Sequence, residues 1–381
     1  MKVLFLTDGI YPFQLGGMQK HSLILTQLLA EKGVELEVVH CGGENYSAEK
    51  FEAGYNAGSV KEKMIPFPKS GKIPGHYIRR NKKYSQLIFD AYQKRLAEFD
   101  LIYAQGFTAW HFIQQKKKGN IFIPIAVNFH GFEMFQKPPS TRVKWEYKLF
   151  KKAVKFNVLN ADFVYSFGGQ ITQILKDIGV PQEKIALQSN GITEDWIPAT
   201  AANLVRNQVR TLTFIGRNER RKGVEELNTA LAEIIKRKDF GFRFNFIGPI
   251  PADSQLKDER IIYHGEIRDA EKIKEVLHAS DVLVCPSHSE GMPTVILEGM
   301  AIGLAIIATD VGAVSRQLNG NGILLEYPDP IKLKEAILEM INAKEKALNE
   351  MKSKSLEIVK SKFLWSVIAD QKINDFERFV G

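Results

Sequence analysis

The chain has 381 residues, 44% hydrophobic and 25% charged, with a formal net charge of +8. That length suggests two domains or one large one, and the composition excludes a disordered tail, a collagen-like fibre and a disulfide-stapled scaffold. Only two cysteines occur, Cys41 and Cys285, and the second closes the apolar run Val282-Leu283-Val284-Cys285. A buried, inert thiol in a reducing cytoplasm is the expectation.

No stretch approaches the ~18 uninterrupted apolar residues of a membrane span. The opening run is cut by Asp8 and Gly9, short of the ~7–15 apolar residues of a signal-peptide core, and reads as a buried first strand. Charge is uneven along the chain. Residues 1–190 hold 26 Lys and Arg against 16 Asp and Glu, which leaves 26 against 28 for the remainder. The excess gathers at Lys72, Arg79, Arg80, Lys82 and Lys83, at Lys116–Lys118, and at Lys144, Lys148, Lys151, Lys152 and Lys155. Such a face attracts anionic lipid, a phosphorylated substrate or nucleic acid, or is simply solvated.

In chain order, Lys2–Leu6 reads as a strand, Met18–Glu31 as a helix and Leu36–His40 as a strand. Further strands are expected at Leu101–Ala104, Ile123–Asn128, Phe163–Ser166 and Ile185–Gln188, with helical stretches mostly between them. Continuous apolar runs joined by helical crossovers predict parallel strands buried on both faces, hence a doubly wound α/β class. The pattern restarts at the strand Thr211–Gly216, followed by a polar loop and a helix from Gly223 to about Lys236. Two strand–loop–helix openings predict two Rossmann-like domains, with a linker near Asn190–Asn207. Another strand is expected at Asp281–Cys285. The charged helix Glu345–Lys362 precedes a last helix, Phe363–Val380, whose stripe of Phe363, Trp365, Ile368, Ile373, Phe376 and Phe379 must be buried.

Ligands of open α/β sheets bind beyond the carboxyl ends of the strands, and four such loops carry unusual residues. Gly16-Gly17 precedes the first helix, where paired glycines let amides approach an anion. The loop is too long for G-x-G-x-x-G and contains Pro12, so no dinucleotide fingerprint is present; a plain turn is the alternative. His130-Gly131 follows a strand, where the imidazole could donate to a substrate hydroxyl or be purely structural. Gly216-Arg217-Asn218-Glu219-Arg220-Arg221-Lys222-Gly223 joins a strand end, a cationic loop and a helix start. That combination suits a diphosphate, though it lacks the Walker order. The fourth, Ser287–Glu298, places Glu290 in a loop, Gly291 and Met292 before the helix, Pro293 and Thr294 at its start, and Glu298 more than a turn inside it. Glu290 could merely complement a helix dipole, but Glu298 stands amid Val295, Ile296, Leu297, Met300 and Ala301 and needs a partner there.

With these residues the chain resembles the GT-B retaining glycosyltransferases known as glycosyltransferase group 1 or family 4. Ser287–Glu298 matches the family's E-x7-E motif, and Phe214–Gly223 its Gly-Arg…Lys-Gly phosphate loop. Gly16-Gly17 with His21, Asn190-Gly191 and the Trp365 region resemble its N-terminal loop, domain junction and returning C-terminal helix. The resemblance implies two Rossmann-like domains facing each other across a cleft. Residues 1–189 plus 364–381 would form the acceptor side, and 190–363 the nucleotide-sugar side. It implies Arg217 and Lys222 on the donor diphosphate, with Gly16, Gly17 and Gly216 nearby. Glu298 would bind the ribose, Glu290 the sugar with the amides of Gly291–Thr294, and His130 the sugar near the reacting carbon. Base contacts are expected near Glu266 and Ile267. Configuration would be retained, and no metal or other cofactor is expected, since cations can neutralise the diphosphate and no Asp-x-Asp occurs.

The sequence departs from the family at Gly303-Leu304, usually Gly-Pro, and at Ala313–Arg316, usually Gly-x-Pro-Glu. The acceptor expected is a glycan or lipid-linked glycan, with the basic first domain resting peripherally on the inner leaflet of the membrane. A soluble transferase acting on a free sugar or sugar phosphate, and a non-catalytic nucleotide-binding protein, are the alternatives. No nucleic-acid recognition module is evident.

Overall fold

The structure is a computed structural model. It describes residues 1–14, 16–43, 45–55, 60–69, 76–136, 141–198, 209–237 and 241–381, without the side chains of residues 141–146. Lys72, the side chain of Lys144, and residues 199–207 of the expected linker lie outside what is described.

The chain divides into two compact units, Met1–Ser189 with Trp365–Gly381, and Asn190–Leu364. In the first, seven strands form one parallel sheet: β1 (Lys2–Leu6), β2 (Glu35–His40), β3 (Val60–Met64), β4 (Leu101–Gln105), β5 (Ile125–Asn128), β6 (Phe163–Ser166) and β7 (Ile185–Leu187). Their order is β3-β2-β1-β4-β5-β6-β7, so the strand order reverses direction between β1 and β4, the switch point where doubly wound sheets open a crevice. Val3 pairs with Leu36 on one side and Leu101 on the other. Val3 through Leu6 are fully buried, as expected of a strand covered on both faces.

The second unit repeats the plan with β8 (Arg210–Ile215), β9 (Phe242–Ile247), β10 (Ile261–Tyr263), β11 (Val282–Cys285), β12 (Ala305–Thr309) and β13 (Gly322–Leu325). The order β10-β9-β8-β11-β12-β13 puts its switch point between β8 and β11. The helix Thr294–Ile302 buries Ile296, Leu297, Met300, Ala301 and Ile302 and is apolar nearly all round, as befits a helix enclosed by its own unit. Behind it, Lys352 of the helix Glu345–Lys362 donates to Asp281 at 2.7 Å, both side chains being almost wholly buried.

The last helix, Trp365–Val380, closes the first unit. Trp365, Ile368, Phe376 and Phe379 join the core of Val3, Phe5, Leu25, Leu101 and Tyr103, and Phe379 stacks on Phe163 at 3.7 Å between ring centres. Phe363 is buried too, but precedes the helix. The strand expected at Ile123 begins at Ile125 because Pro124 has no N–H for the ladder, and the Ile123 carbonyl instead accepts from Lys116 at 2.7 Å. Both cysteines are free and buried, and burial pushes the Cys285 thiol up to about 11, which keeps it unreactive.

Candidate active site

The loops at the second unit's switch point are fixed backbone to backbone. Gly223 turns the chain into the helix Val224–Ile235 with φ 71°, and a Cβ there would lie 1.9 Å from the Pro286 carbonyl oxygen. Only glycine permits both that conformation and that approach. Beside it, the His288 amide donates to the Arg221 carbonyl at 2.7 Å. The cationic loop after β8 is thereby pinned to the loop after β11.

The contact delivers Lys222 to Glu290. Lys222 Nζ donates to Glu290 Oε1 at 2.6 Å, Ser287 Oγ donates to the same oxygen at 2.8 Å, and Arg221 reaches Oε2 at 3.4 Å. Glu290 is buried, with 7% of its surface exposed, so its charge is held by specific partners rather than by water. Its backbone is also clamped. Gly312 has φ 59°, and a Cβ there would lie 2.2 Å from the Glu290 carbonyl oxygen, while the Ala313 amide donates to Gly291 at 2.8 Å. The departure from the family at Ala313 therefore leaves this clamp intact.

Arg217 is placed differently. Its side chain is 68% exposed and its guanidinium pairs with Glu219 at 2.9 Å. Gly216, at the end of β8, donates to the Ile247 carbonyl at 2.9 Å. Pro293, expected as an early helix residue, is instead the N-cap with extended backbone, and Thr294 is the first helical residue. The N-cap of this helix makes no side-chain capping bond and its first turn carries no acid, so the helix itself supplies no anion to its leading amides. The Met292 carbonyl accepts from Asn190 Nδ2 at 2.7 Å, which ties down Gly291–Pro293 from below. Glu298 is half-buried one turn beyond the exposed Thr294, on the same helix face. Glu266 is exposed, pairs with Arg268 at 3.1 Å and, with Ile267, follows the edge strand β10. That is two strands from β8, roughly 10 Å away across the sheet.

Sequence reasoning missed Arg221 on Glu290, and also a second cluster. Arg220 bonds Glu226 at 2.6 Å, and His288 lies 3.0 Å from the same carboxylate. The adjacency of Arg220, Arg221 and Lys222 was visible, but not which acid each would meet.

In the first unit, Gly16 and Gly17 are exposed at the start of the helix Gly17–Glu31, with no side-chain cap. One turn on, His21 is buried and meets His130 edge-on at 4.6 Å. His130 follows β5, and its Nε2 lies 2.5 Å from Gln105 Oε1 at the end of β4. An amide oxygen only accepts, so the ring proton sits on Nε2 and Nδ1 is left as an acceptor rather than a donor. Burial, aided by the charge of Lys372, pushes this imidazole down to about 3, so it is neutral at physiological pH. Gln105, Gln188 and Lys372 around this pair carried no recognisable motif.

Residues 15–196 match the family profile Glycosyltransferase Family 4, and residues 209–343 match Glycosyl transferases group 1. The chain belongs to this glycosyltransferase family. One relative is the provisionally named teichuronic acid biosynthesis glycosyltransferase TuaC of Bacillus subtilis (strain 168), 30% identical over 233 residues. That match covers 58% of this chain and 55% of the relative, so the chain spans about half the length of this protein. The glycosyltransferase fold is shared along the whole chain with sucrose-phosphate synthase (tll1590) from Thermosynechococcus elongatus. The TM-score is 0.76 at 18% identity, covering 99% of this chain and 98% of that one. Anabaena Alr3699/HepE in complex with UDP and glucose gives a TM-score of 0.68 at 17% identity, covering 99% and 100%. These likenesses establish the two parallel-sheet units of this glycosyltransferase as the GT-B fold.

Proposed function

We propose that this glycosyltransferase moves a sugar, with retention of configuration and without a metal, from a UDP- or GDP-sugar to a glycan or lipid-linked acceptor of a cell-envelope polysaccharide. The observation that carries the reading is the Lys222–Glu290 pair, 2.6 Å apart at the switch point of the second unit. A sugar diphosphate brings both an anion for Lys222 and hydroxyls for Glu290, so one ligand satisfies both groups. Arg217, exposed on the same loop, adds a planar fork for the diphosphate. The open amides before Thr294 face an anion or hydroxyl favourably. Glu298 would take the ribose, and His130 would accept from a sugar hydroxyl through Nδ1.

In the reaction the acceptor O–H oxygen bonds to the anomeric carbon while the bond from that carbon to the diphosphate oxygen breaks. The departing diphosphate takes the acceptor's proton on the same face. Lys222 and Arg217 stabilise its growing charge.

The acceptor reading rests on the first unit's surface. Lys69, Arg79, Arg80 and Lys83 with Pro68 and Leu87 line a groove of about 600 Å³. On the helix Thr141–Asn160, the exposed Lys148, Lys152 and Lys155 share a face with Leu159, and Leu149, 51% exposed, flanks it. A basic surface with apolar side chains at its edge suits a phosphate-bearing acceptor at an anionic membrane. Among the described residues no helix is long and apolar enough to cross a membrane. A teichuronic acid biosynthesis relative supports the polysaccharide assignment.

The deciding experiment incubates the protein with labelled UDP- and GDP-sugars and lipid-linked or sugar-phosphate acceptors, and reads the product anomer by NMR. An α-product from an α-donor is expected. Inverted product would refute retention. Failure of every nucleotide to bind calorimetrically would refute the transferase reading in favour of a non-catalytic protein.

A further inference from the structure

The last helix buries a lysine that no carboxylate neutralises. Lys372 is 2% exposed, and its Nζ lies 3.1 Å from the centre of the Tyr165 ring and 4.9 Å from that of Tyr103. Its hydrogen-bond acceptor is Gln188 Oε1. Among the described residues no acid stands within ion-pair distance; burial holds the Lys372 pKa well below the ordinary lysine value, and Asp375, further along the helix, opposes that shift only from farther off. The aromatic faces recover part of the lost hydration, yet a methionine of similar length would fill the same space without burying a polar amine.

What the amine does is set directions. Its N–H donates to Gln188, which turns its oxygen toward it. Tyr103 Oη donates to that same oxygen at 3.2 Å, and Asn128 Nδ2 donates to Tyr103 Oη at 3.1 Å. The Gln188 amide nitrogen is thereby aimed at His21 Nε2, 2.8 Å away. His21 must accept there and carry its proton on Nδ1. Its ring then packs edge-on against His130 and, on the other side, against Trp365 at 5.0 Å.

We propose that Lys372 is a positioning residue for the His21–His130 pair, fixing the tautomer of His21 through Gln188 and, with it, the ring against which His130 packs. The proposal rests on the contact of His130 with the transferred sugar. The other titratable groups around the array are Asp375 and Arg378 from the last helix, Tyr103 from β4 and Tyr165 from β6.

The test compares the full-length protein with its Lys372→Met and Gln188→Leu variants, using long-range ¹⁵N imidazole NMR across pH 5–8 beside kcat and nucleotide affinity. Wild-type His21 should show the Nδ1–H pattern. Lys372→Met should melt no lower than wild type and mix the His21 tautomers. It should also lower kcat roughly 10- to 100-fold, the scale of a misplaced contact group, with nucleotide affinity within about twofold. A folded Lys372→Met protein whose His21 keeps its wild-type tautomer overturns the proposal. Gln188→Leu keeps Lys372 and must also disturb the His21 tautomer; an unchanged tautomer likewise overturns it. If His21 responds as stated but the wild-type protein transfers no sugar, the proposed function falls while the positioning of the rings stands.

Discussion

Asp8 is the second residue beyond β1, and its burial makes a quantitative prediction. Its Oδ1 is buried without a hydrogen-bond partner, and its backbone carbonyl accepts from the Cys41 thiol at 2.6 Å. Burial raises the carboxyl from the ordinary aspartate value of 3.8 to about 6, against smaller opposing hydrogen bonds from the backbone and Gln19. A folded-state pKa above the unfolded one means the fold favours the protonated acid. That stabilisation is complete below pH 3.8 and lost as pH rises through about 6. The difference of about two units, at 1.36 kcal/mol each, makes ionised Asp8 cost the fold about 3 kcal/mol at pH 8. Asp8→Asn keeps the shape and removes the charge. Urea unfolding followed from pH 4 to pH 8 should therefore show the variant equal to wild type at the acid end and up to about 3 kcal/mol more stable at the alkaline end. In a unit of this size that is a rise in melting temperature of about 6–12 °C. Parallel stability curves for the two proteins across this range, or a variant less stable at pH 8, would refute the reasoning.

Four further outcomes follow from the geometry. Lys222→Met should weaken nucleotide diphosphate binding at least about tenfold by calorimetry, the loss expected of a charge-assisted contact. Arg217→Ala, 68% exposed, should weaken binding yet leave the melting temperature within about 1 °C, since exposed pairs contribute ~0–1 kcal/mol. Phe376→Ala, at a fully buried site, should cost about 3–5 kcal/mol in denaturant titration. Lys352→Met should cost about 3 kcal/mol or more, because it strands the buried Asp281 carboxylate; a variant as stable as wild type would mean that Arg210, 3.7 Å from Asp281, suffices alone.

What the sequence disclosed depended on burial. β1 and β11 are covered on both faces and so are written as unbroken apolar runs, legible at once. β3, with Lys61, Glu62 and Lys63 in five residues, is an edge strand whose solvated face leaves no apolar run to read. At the site, Lys222 and Glu290 were legible because glycine spacing and strand ends mark ligand loops. Arg221 reaching Glu290 depends on Gly223 pressing against Pro286, a tertiary contact with no spacing of its own. Gln188 and Lys372 are 184 residues apart, beyond any local pattern. One sign was available: Lys372 falls four residues after Ile368 and four before Phe376, inside the apolar stripe of the last helix. A lysine there is either an interruption or a buried charge, and only packing distinguishes them.

The return of the last helix to the first unit also orders events on the ribosome. The aromatic wall of Tyr103, Phe163 and Tyr165 is made early, but Phe376 and Phe379, which cover it, are translated about 200 residues or more later. At about 5–20 residues per second, roughly 10–40 s separate the two ends of that core. The second unit, contiguous in sequence, can finish in the interval. The first is sealed only once this helix has been made and carries Lys372 into place, so the imidazole array is assembled after the rest of its own unit.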